Sequence, residues 1–243
     1  MPIESVRNHQ RFVVKAGGAE RSSLIPTKAD SDNLMKGIGF ERSLASAAAF
    51  YDISKDVKDY LLQPVPIIWS DLSNRNGIGF PLQQLVAWIK EKGCMAYQGW
   101  RGQAVRVEHD WEGEVIGIIP DVIMRPLRGF AGDRLYKVIV LNAVDRSKNP
   151  KLAAQIDNGE RNTWSMGCLV EKFSCSICGS FEKSCKHLRE DENFRVQDGL
   201  IAHRNAHGII AEECSSVADP AYGQAVGDVV IRYAESNKAR PRL

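Results

Sequence analysis

Two segments dense in β-branched residues constrain the fold of this chain more than any other feature. They are VIGIIPDVIM (115–124) and YKVIVLNAV (136–144). Branched side chains pack well on a pleated surface, and runs of this kind are typical of strands that are buried on both faces. The sequence therefore predicts a β-sheet at the centre of the molecule.

The length of 243 residues suits one sizeable domain with appendages. Residues 66–225 are predicted to form that domain, residues 1–65 an N-terminal arm and residues 226–243 a C-terminal tail. In the arm, apolar spacing predicts a helix over residues 41–63 that ends before Pro64. About the first thirty residues are expected to be poorly ordered.

Other elements follow from periodicity and turn residues. FPLQQLVAWIKEKG (80–93) predicts an amphipathic helix closed by its final glycine, and Asn158-Gly159 is expected to stop a short helix. Alternation and β-branched content predict three more strands. These are AVRVEHD (104–110), TWSMGCLVEKF (163–173) and GIIAEECSSV (208–217).

Charge and hydropathy exclude several function classes. The net charge is only +2, from 32 basic and 30 acidic residues, so no basic field points to nucleic acid. No apolar run reaches the roughly 20 residues of a membrane helix, and the N-terminal sequence lacks the apolar stretch of a secretory signal. We expect a cytosolic protein with neither a membrane nor a nucleic-acid partner.

A cluster of cysteines with one histidine gives the strongest chemical signal. Three of the six cysteines fall within eleven positions beside His187, and the four residues are Cys175, Cys178, Cys185 and His187. This donor set and the C-x-x-C spacing are typical of zinc. Four protein ligands leave no open coordination position, so the spacing predicts a structural Zn²⁺ in a small clip at about residues 172–190. The alternative is a set of reduced cysteines without metal.

Ser165 and His109 are candidates for a nucleophile and its base. Ser165 lies in the predicted strand T-W-S-M-G-C, and the glycine two positions later would leave room on the same face for a substrate backbone. Alternation places His109 with Val105 and Val107 on the inward face of its strand. A serine needs a nearby base to take its proton, so the pair gains interest as a candidate site only if the two strands are neighbours.

Three other residues are weaker candidates. His203 and His207 have four-residue spacing, but the glutamate of the zincin motif is missing and Gly208 would end a helix there, so both are expected in a loop. Cys168 is an odd number of positions from Ser165, which directs it to the opposite face of a strand.

Several ordered stretches resemble the prohead maturation proteases of tailed bacteriophages, a branch of the herpesvirus-assemblin-like superfamily. The resemblance spans about residues 67–225. MAYQGWRGQAVRVEHDW is similar to the strand with the catalytic histidine, which falls on His109, and S-M-G is similar to the nucleophile segment, which falls on Ser165. The cysteine cluster resembles a zinc-clip-containing branch of the family. EECSSVADPAYGQA matches the pattern E-x-S-x-V-x-x-P-A, which begins at Glu213.

This resemblance implies an α+β fold with a compact, mostly antiparallel, β-barrel-like core flanked by helices, an inserted zinc knuckle and an N-terminal helical arm. It implies a serine endopeptidase with Ser165 as nucleophile, His109 as base and Glu213 as the acid that orients the base. Asp121 is the reserve for the third role. On a strand, Glu213 would share a face with Ser215 and could reach His109 from an adjacent strand.

The implied substrates are the phage scaffold protein and the major capsid protein, cut inside the assembling prohead in the host cytoplasm. Self-association is a further expectation. Two alternatives remain at this level: a non-catalytic, protease-like structural component of the phage head, and a zinc-stabilised binding module.

Overall fold

A computed structural model describes residues 30, 34, 40–127, 135–181, 185–188, 195–197, 200–227 and 230–232. The predicted disorder of about the first thirty residues and most of the predicted C-terminal tail lie outside these residues. Part of the predicted zinc clip, at 182–184 and 189–190, lies outside them as well.

Helices are few in the described ranges. They are α1 (Phe40–Ala47), α2 (Leu82–Leu85) and α3 (Pro150–Asp157), with 3-10 helices at Val57–Asp59 and Ala96–Trp100. The strands are β1 (Tyr60–Trp69), β2 (Ile78–Gly79), β3 (Trp88–Ile89), β4 (Cys94–Met95), β5 (Ala104–Val107), β6 (Gly117–Pro126), β7 (Tyr136–Asp145), β8 (Trp164–Cys175), β9 (Arg195–Gln197), β10 (Leu200–Ala202), β11 (Arg204–Ser216) and β12 (Ile231–Arg232).

Eight strands form one sheet in the order β12-β1-β7-β6-β5-β11-β2, with β8 paired to β11. Strand β11 runs parallel to β5 and β2, and the other pairings in this sheet are antiparallel. The sheet curls into a half-barrel. The chain is therefore a mixed α/β fold dominated by β-structure, which confirms the coarse prediction of a β-rich, barrel-like core. The described residues establish neither the predicted zinc knuckle nor the predicted N-terminal helical arm.

Strand β7 shows why the sheet is buried on both faces. Three valines of this strand pack into the larger hydrophobic cluster, which also contains buried tryptophans; they are Val138, Val140 and Val144. The intervening Ile139 and Leu141 pack into a second cluster, which includes residues of α1. This period of two places successive side chains in different cores. The prediction from the β-branched segments is confirmed here.

The prediction of one helix over 41–63 is wrong. Helix α1 ends at Ala47, and Tyr60 begins β1, whose ten residues are all buried. Pro64 and Pro66 lie inside this strand rather than beyond a helix. A strand accommodates proline where no neighbouring strand needs a backbone N–H at that position. Here β12 pairs only with the start of β1, and the register with β7 shifts just after Pro66.

The predicted amphipathic helix over 80–93 is also wrong in its second half. Helix α2 has only four residues, and β3 then pairs with β4 in a hairpin. Gly93, at φ 63°, serves the hairpin turn instead of a helix end. Phe80 and Leu85 are buried in the core, but Trp88 is 64% exposed, so the apolar face does not continue through the second half of the segment.

Other local predictions hold. Asn149 caps the start of helix α3, with its side chain accepting the N–H of Leu152 at 3.0 Å, and the helix ends before Gly159, at φ 80°. Strands β8 and β11 form where they were predicted and extend further than expected. Within the described ranges, no helix combines the length and apolarity needed to cross a bilayer.

Candidate functional site

The antiparallel pairing of β8 with β11 sets the frame of the candidate site. Ser165 lies opposite Ser215, and Gly167 lies opposite Glu213. Because alternate residues of a strand share a face, all four positions lie on one side of the two-stranded ladder. Ser165 is 8% exposed and Glu213 is fully buried.

His109 reaches this ladder from the other side of β11. Strand β5 pairs with β11 in parallel, so β11 lies between β5 and β8, and the two strands are not the direct neighbours that the sequence argument required. Ser165 and His109 remain candidates because both border one cavity. Strand β5 ends at Val107, and Glu108 and His109 both adopt left-handed conformations, at φ 49° and 56°. The prediction that His109 continues the alternation of β5 is therefore wrong, because a turn carries its side chain.

The carboxylate of Glu213 connects the candidate residues. Its Oε1 lies 2.7 Å from Nδ1 of His109, and its Oε2 accepts the hydroxyl of Ser215. The Ser215 oxygen accepts the backbone N–H of His109 at 3.2 Å. Both carboxylate oxygens of this buried acid are therefore satisfied, and one serine fixes both the acid and the backbone of the histidine.

Arg161 braces the left-handed turn that carries His109. Its guanidinium pairs with the carboxylate of Glu108 and donates to the hydroxyl of Ser216 at 3.1 Å. The N–H of Glu108 donates to the backbone oxygen of Ser216 at 2.9 Å. Left-handed backbone is costly for residues other than glycine, so these contacts explain how two consecutive residues are held there.

The hydrogen bond with Glu213 raises the pKa of His109 above its ordinary value. Burial opposes this shift, and the negative charges of Glu213 and Glu108 add to it. With Nδ1 held by the carboxylate, Nε2 is the nitrogen that can take a proton, and among the described residues it makes no hydrogen bond with Ser165.

Gly167 makes room for the buried acid. A Cβ at this position would overlap the carboxylate of Glu213, so the missing side chain is required inside the protein. Gly167 also borders the cavity beside Ser165, and the room it was expected to leave for a substrate backbone stays a prediction.

Ser165 and His109 border the same cavity. Its volume is about 370 Å³, and it runs beside β8 from Trp164 to Phe173. Tyr222 and Ala225 also border it. A nucleophile candidate and a base candidate that share a concave surface satisfy the first requirement of an active site.

Cys168 and Asp121, the other candidates for roles at the site, are each less suited to those roles. Cys168 borders the same cavity, so its expected orientation away from Ser165 does not separate the two, but burial raises the pKa of its thiol to about 12. A thiol held protonated is a poor nucleophile. Asp121 accepts from Arg101 at 2.7 Å and from the N–H of Val122 at 2.9 Å.

His207 lies in β11, so the prediction of a loop at this position is wrong. Its Nε2 lies 2.7 Å from the hydroxyl of Ser174 on β8. His203 precedes the strand, and its backbone N–H donates to the hydroxyl of Ser176 at 2.9 Å. Both histidines therefore belong to the far end of the β8–β11 ladder.

The four predicted metal ligands come together. One donor atom each from Cys175, Cys178, Cys185 and His187 lies within 4.8 Å of the others. Cys175 ends β8, and Gly179, at φ 71°, turns the chain after Cys178. Bonds of about 2.3 Å to a tetrahedral ion would separate the sulfurs by about 3.8 Å, so the group needs only a small contraction to hold one.

The chemistry of these donors also fits a metal ion. The Nδ1 atom of His187 is buried without a hydrogen-bond partner among the described residues. Burial raises the pKa of Cys185, but backbone N–H groups of His187 and Leu188 and the neighbouring thiols outweigh it, so the net shift is downward. A lowered thiol pKa favours the thiolate that binds metal, whereas burial raises the pKa of the Cys175 thiol.

Ser215 is the residue that sequence reasoning missed as part of the site. The E-x-S spacing predicts only that the side chains of Ser215 and Glu213 lie on one side of the strand. Its contact with the backbone of His109 depends on a long-range pairing that local sequence does not reveal.

Comparison of the chain with protein-family models, with curated proteins and with solved structures finds no match in any of the three. The functional assignment therefore depends on the geometry of the site and on the sequence resemblance.

Proposed function

We propose that this protein is a serine endopeptidase that cleaves scaffold and capsid proteins during phage head maturation. The observation that carries the proposal is the 2.7 Å contact between Glu213 and Nδ1 of His109, beside a cavity that Ser165 also borders. The phage context and the substrates come from the sequence resemblance alone.

In the proposed mechanism, the oxygen of Ser165 attacks the carbonyl carbon of the scissile bond while His109 takes the hydroxyl proton. The tetrahedral intermediate collapses as His109 gives that proton to the leaving amine, and the C–N bond breaks. Water then attacks the acyl-enzyme, His109 again moves the proton, and the acid product leaves Ser165 free. Glu213 stays ionised and stabilises the imidazolium.

We further propose that Cys175, Cys178, Cys185 and His187 hold a structural zinc ion. Zinc would cross-link the end of β8 to the turns that follow it, and a filled ligand shell would leave no place for a substrate or water. The donor set supports zinc over hard cations such as Mg²⁺, which prefer oxygen ligands.

The proposed activity is tested by co-expression with the phage scaffold and major capsid proteins, followed by intact-mass measurement. Wild type is expected to yield discrete truncations that Ser165→Ala lacks. Ser46→Ala, an exposed serine in α1, is the matched control and should cleave as wild type does. Intact partners in the presence of wild type would contradict the proposal and favour a non-catalytic head component.

A further inference from the structure

We propose that the cavity beside Ser165 selects substrates that carry an apolar side chain next to the scissile bond. This inference rests on the proposed endopeptidase function and adds the class of residue that the enzyme recognises. Three features of the cavity support it: apolar walls, polar atoms that are already hydrogen-bonded to the protein, and a described lining without Asp, Glu, Lys or Arg.

The walls are aromatic and aliphatic. Phe80, Trp164 and Tyr222 are each no more than 4% exposed, and Ile67 is also buried. These residues come from separate parts of the chain that converge on the larger hydrophobic cluster. Binding of an apolar side chain to such a surface is favourable by about 25 cal/mol per Å² of apolar area removed from water.

The polar atoms of these aromatic residues are already engaged outside the cavity. The indole N–H of Trp164 donates to the Gln63 side chain at 2.7 Å, and the hydroxyl of Tyr222 donates to the backbone oxygen of Leu72 at 3.1 Å. Both rings are thereby fixed, and their polar groups are committed to the protein. A bound side chain meets ring carbon instead of hydrogen-bonding groups.

The described lining includes no Asp, Glu, Lys or Arg. Its histidine, His109, is already paired with Glu213, and the side-chain oxygen of Asn74 accepts the N–H groups of Asn76 and Ile78 at 3.0 and 3.1 Å. A lysine side chain placed there would lose its hydration without gaining an opposite charge, and a glutamate side chain would have to compete with Glu213 for His109, so both are unfavourable. The cavity therefore discriminates by exclusion of charge as well as by apolar contact.

The size of the cavity fits this role. Its 370 Å³ lies near the lower end of the range of about 300–1,000 Å³ for small-molecule sites, so it can take a large apolar side chain. Trp111, two residues after His109 and 51% exposed, borders the same space. The selected side chain would thus lie close to the reacting groups.

The test measures how fast Ser165 is modified by peptidyl diphenyl phosphonates that differ only in the side chain beside phosphorus. We expect Leu and Phe probes to react about 100-fold faster than Lys and Glu probes, since an unpaired charge must be desolvated. Diisopropyl fluorophosphate, which has no peptide side chain, is run in parallel and reports on the nucleophile alone.

A matched pair of variants sharpens the test. Ala221 borders the cavity and is partly exposed, so Ala221→Glu adds a carboxylate there and Ala221→Gln adds nearly the same bulk without charge. The ratio of Lys-probe to Phe-probe rates should rise about tenfold in the Glu variant relative to the Gln variant.

The outcomes separate the two proposals. If diisopropyl fluorophosphate modifies Ser165 but apolar probes react no faster than charged ones, or none of the peptidyl probes reacts, the specificity inference is overturned and the endopeptidase proposal stands. If diisopropyl fluorophosphate leaves Ser165 unmodified, the endopeptidase proposal itself is overturned.

Discussion

The two ends of the β8–β11 ladder hold two clusters of reactive side chains that are built in different ways. Near one end, strand register and a braced turn bring Glu213, Ser215 and His109 into mutual hydrogen bonds. At the other end, Cys175 ends β8 and its partners come from the turns beyond. Ten residues of strand, or roughly 30 Å, separate Ser165 from Cys175.

The difference lies in what completes each cluster. At the Glu213 end, both carboxylate oxygens already have protein partners, so the geometry is preorganised. At the cysteine end, the buried Nδ1 of His187 has no partner in the described part of the chain, and a metal ion would supply the missing interactions. Changes at the first end should therefore alter reaction rate, and changes at the second should alter stability.

The largest effect is expected for Glu213→Gln. Loss of the carboxylate removes the charge that orients and stabilises His109, and kcat/KM for scaffold cleavage should fall about ten-thousand-fold. The pKa of His109 is raised by Glu213 and the base must be neutral, so activity is lost as pH falls through that pKa. The variant should therefore show its acidic limb at lower pH.

Glu212→Gln is the matched control for this change, since Glu212 lies at the register shift of the same strand. It should leave both the rate and the acidic limb close to those of wild type. An equal loss of kcat/KM in the two variants would mean that the loss comes from a change in the strand and not from removal of the acid that contacts His109.

Gly167→Ala comes next in expected magnitude. The new Cβ would overlap the Glu213 carboxylate and displace it from His109, which should lower kcat/KM about 100-fold. Gly223→Ala is the control, because a Cβ there meets no atom within 4 Å. A Gly167→Ala enzyme as active as the Gly223→Ala enzyme would show that the position of the carboxylate is not critical.

Ser215→Ala should have a smaller effect, about tenfold on kcat/KM. The change frees one oxygen of Glu213 and the backbone N–H of His109 but leaves the 2.7 Å contact between acid and base available. Ser215→Thr keeps the hydroxyl and should recover most of the loss. Failure of threonine to recover any activity, with the fold intact by circular dichroism, would contradict a positioning role for the hydroxyl.

The smallest effect on rate is expected at the cysteine cluster. Cys178→Ser should lower zinc, measured by elemental analysis, from about one ion per chain and should lower Tm, while kcat/KM changes only a few-fold at a permissive temperature. Cys94→Ser, in the β3–β4 hairpin, should retain the metal. Absence of metal from folded wild-type protein would contradict the zinc proposal. If Cys178→Ser lost as much activity as Glu213→Gln, the two ends of the β8–β11 ladder would not differ in function as proposed.

Sequence alone was informative where local pattern controls structure. The β-branched runs of β6 and β7 predicted buried strands, and C-x-x-C with Cys-x-His predicted a cluster whose donor atoms do come together. Both patterns are short-range, because strand periodicity and ligand spacing are properties of consecutive residues.

Sequence was misleading where tertiary pairing decides the structure. The apolar residues of 41–63 fit a helix, yet Tyr60, Leu61 and Leu62 enter β1 because β7 offers a complete antiparallel partner. For His109, alternation could not anticipate two consecutive left-handed residues, which depend on Arg161 and on the backbone of β11. The role of Gly167 likewise becomes visible only once Glu213 is seen beside it.

Activation of Ser165 by His109 is tested by diisopropyl fluorophosphate labelling followed by peptide mapping. We expect one phosphoryl adduct on Ser165 in wild type, and little adduct in a folded His109→Ala variant. An unlabelled wild-type protein, an adduct on a different residue, or equal labelling without His109 would contradict it.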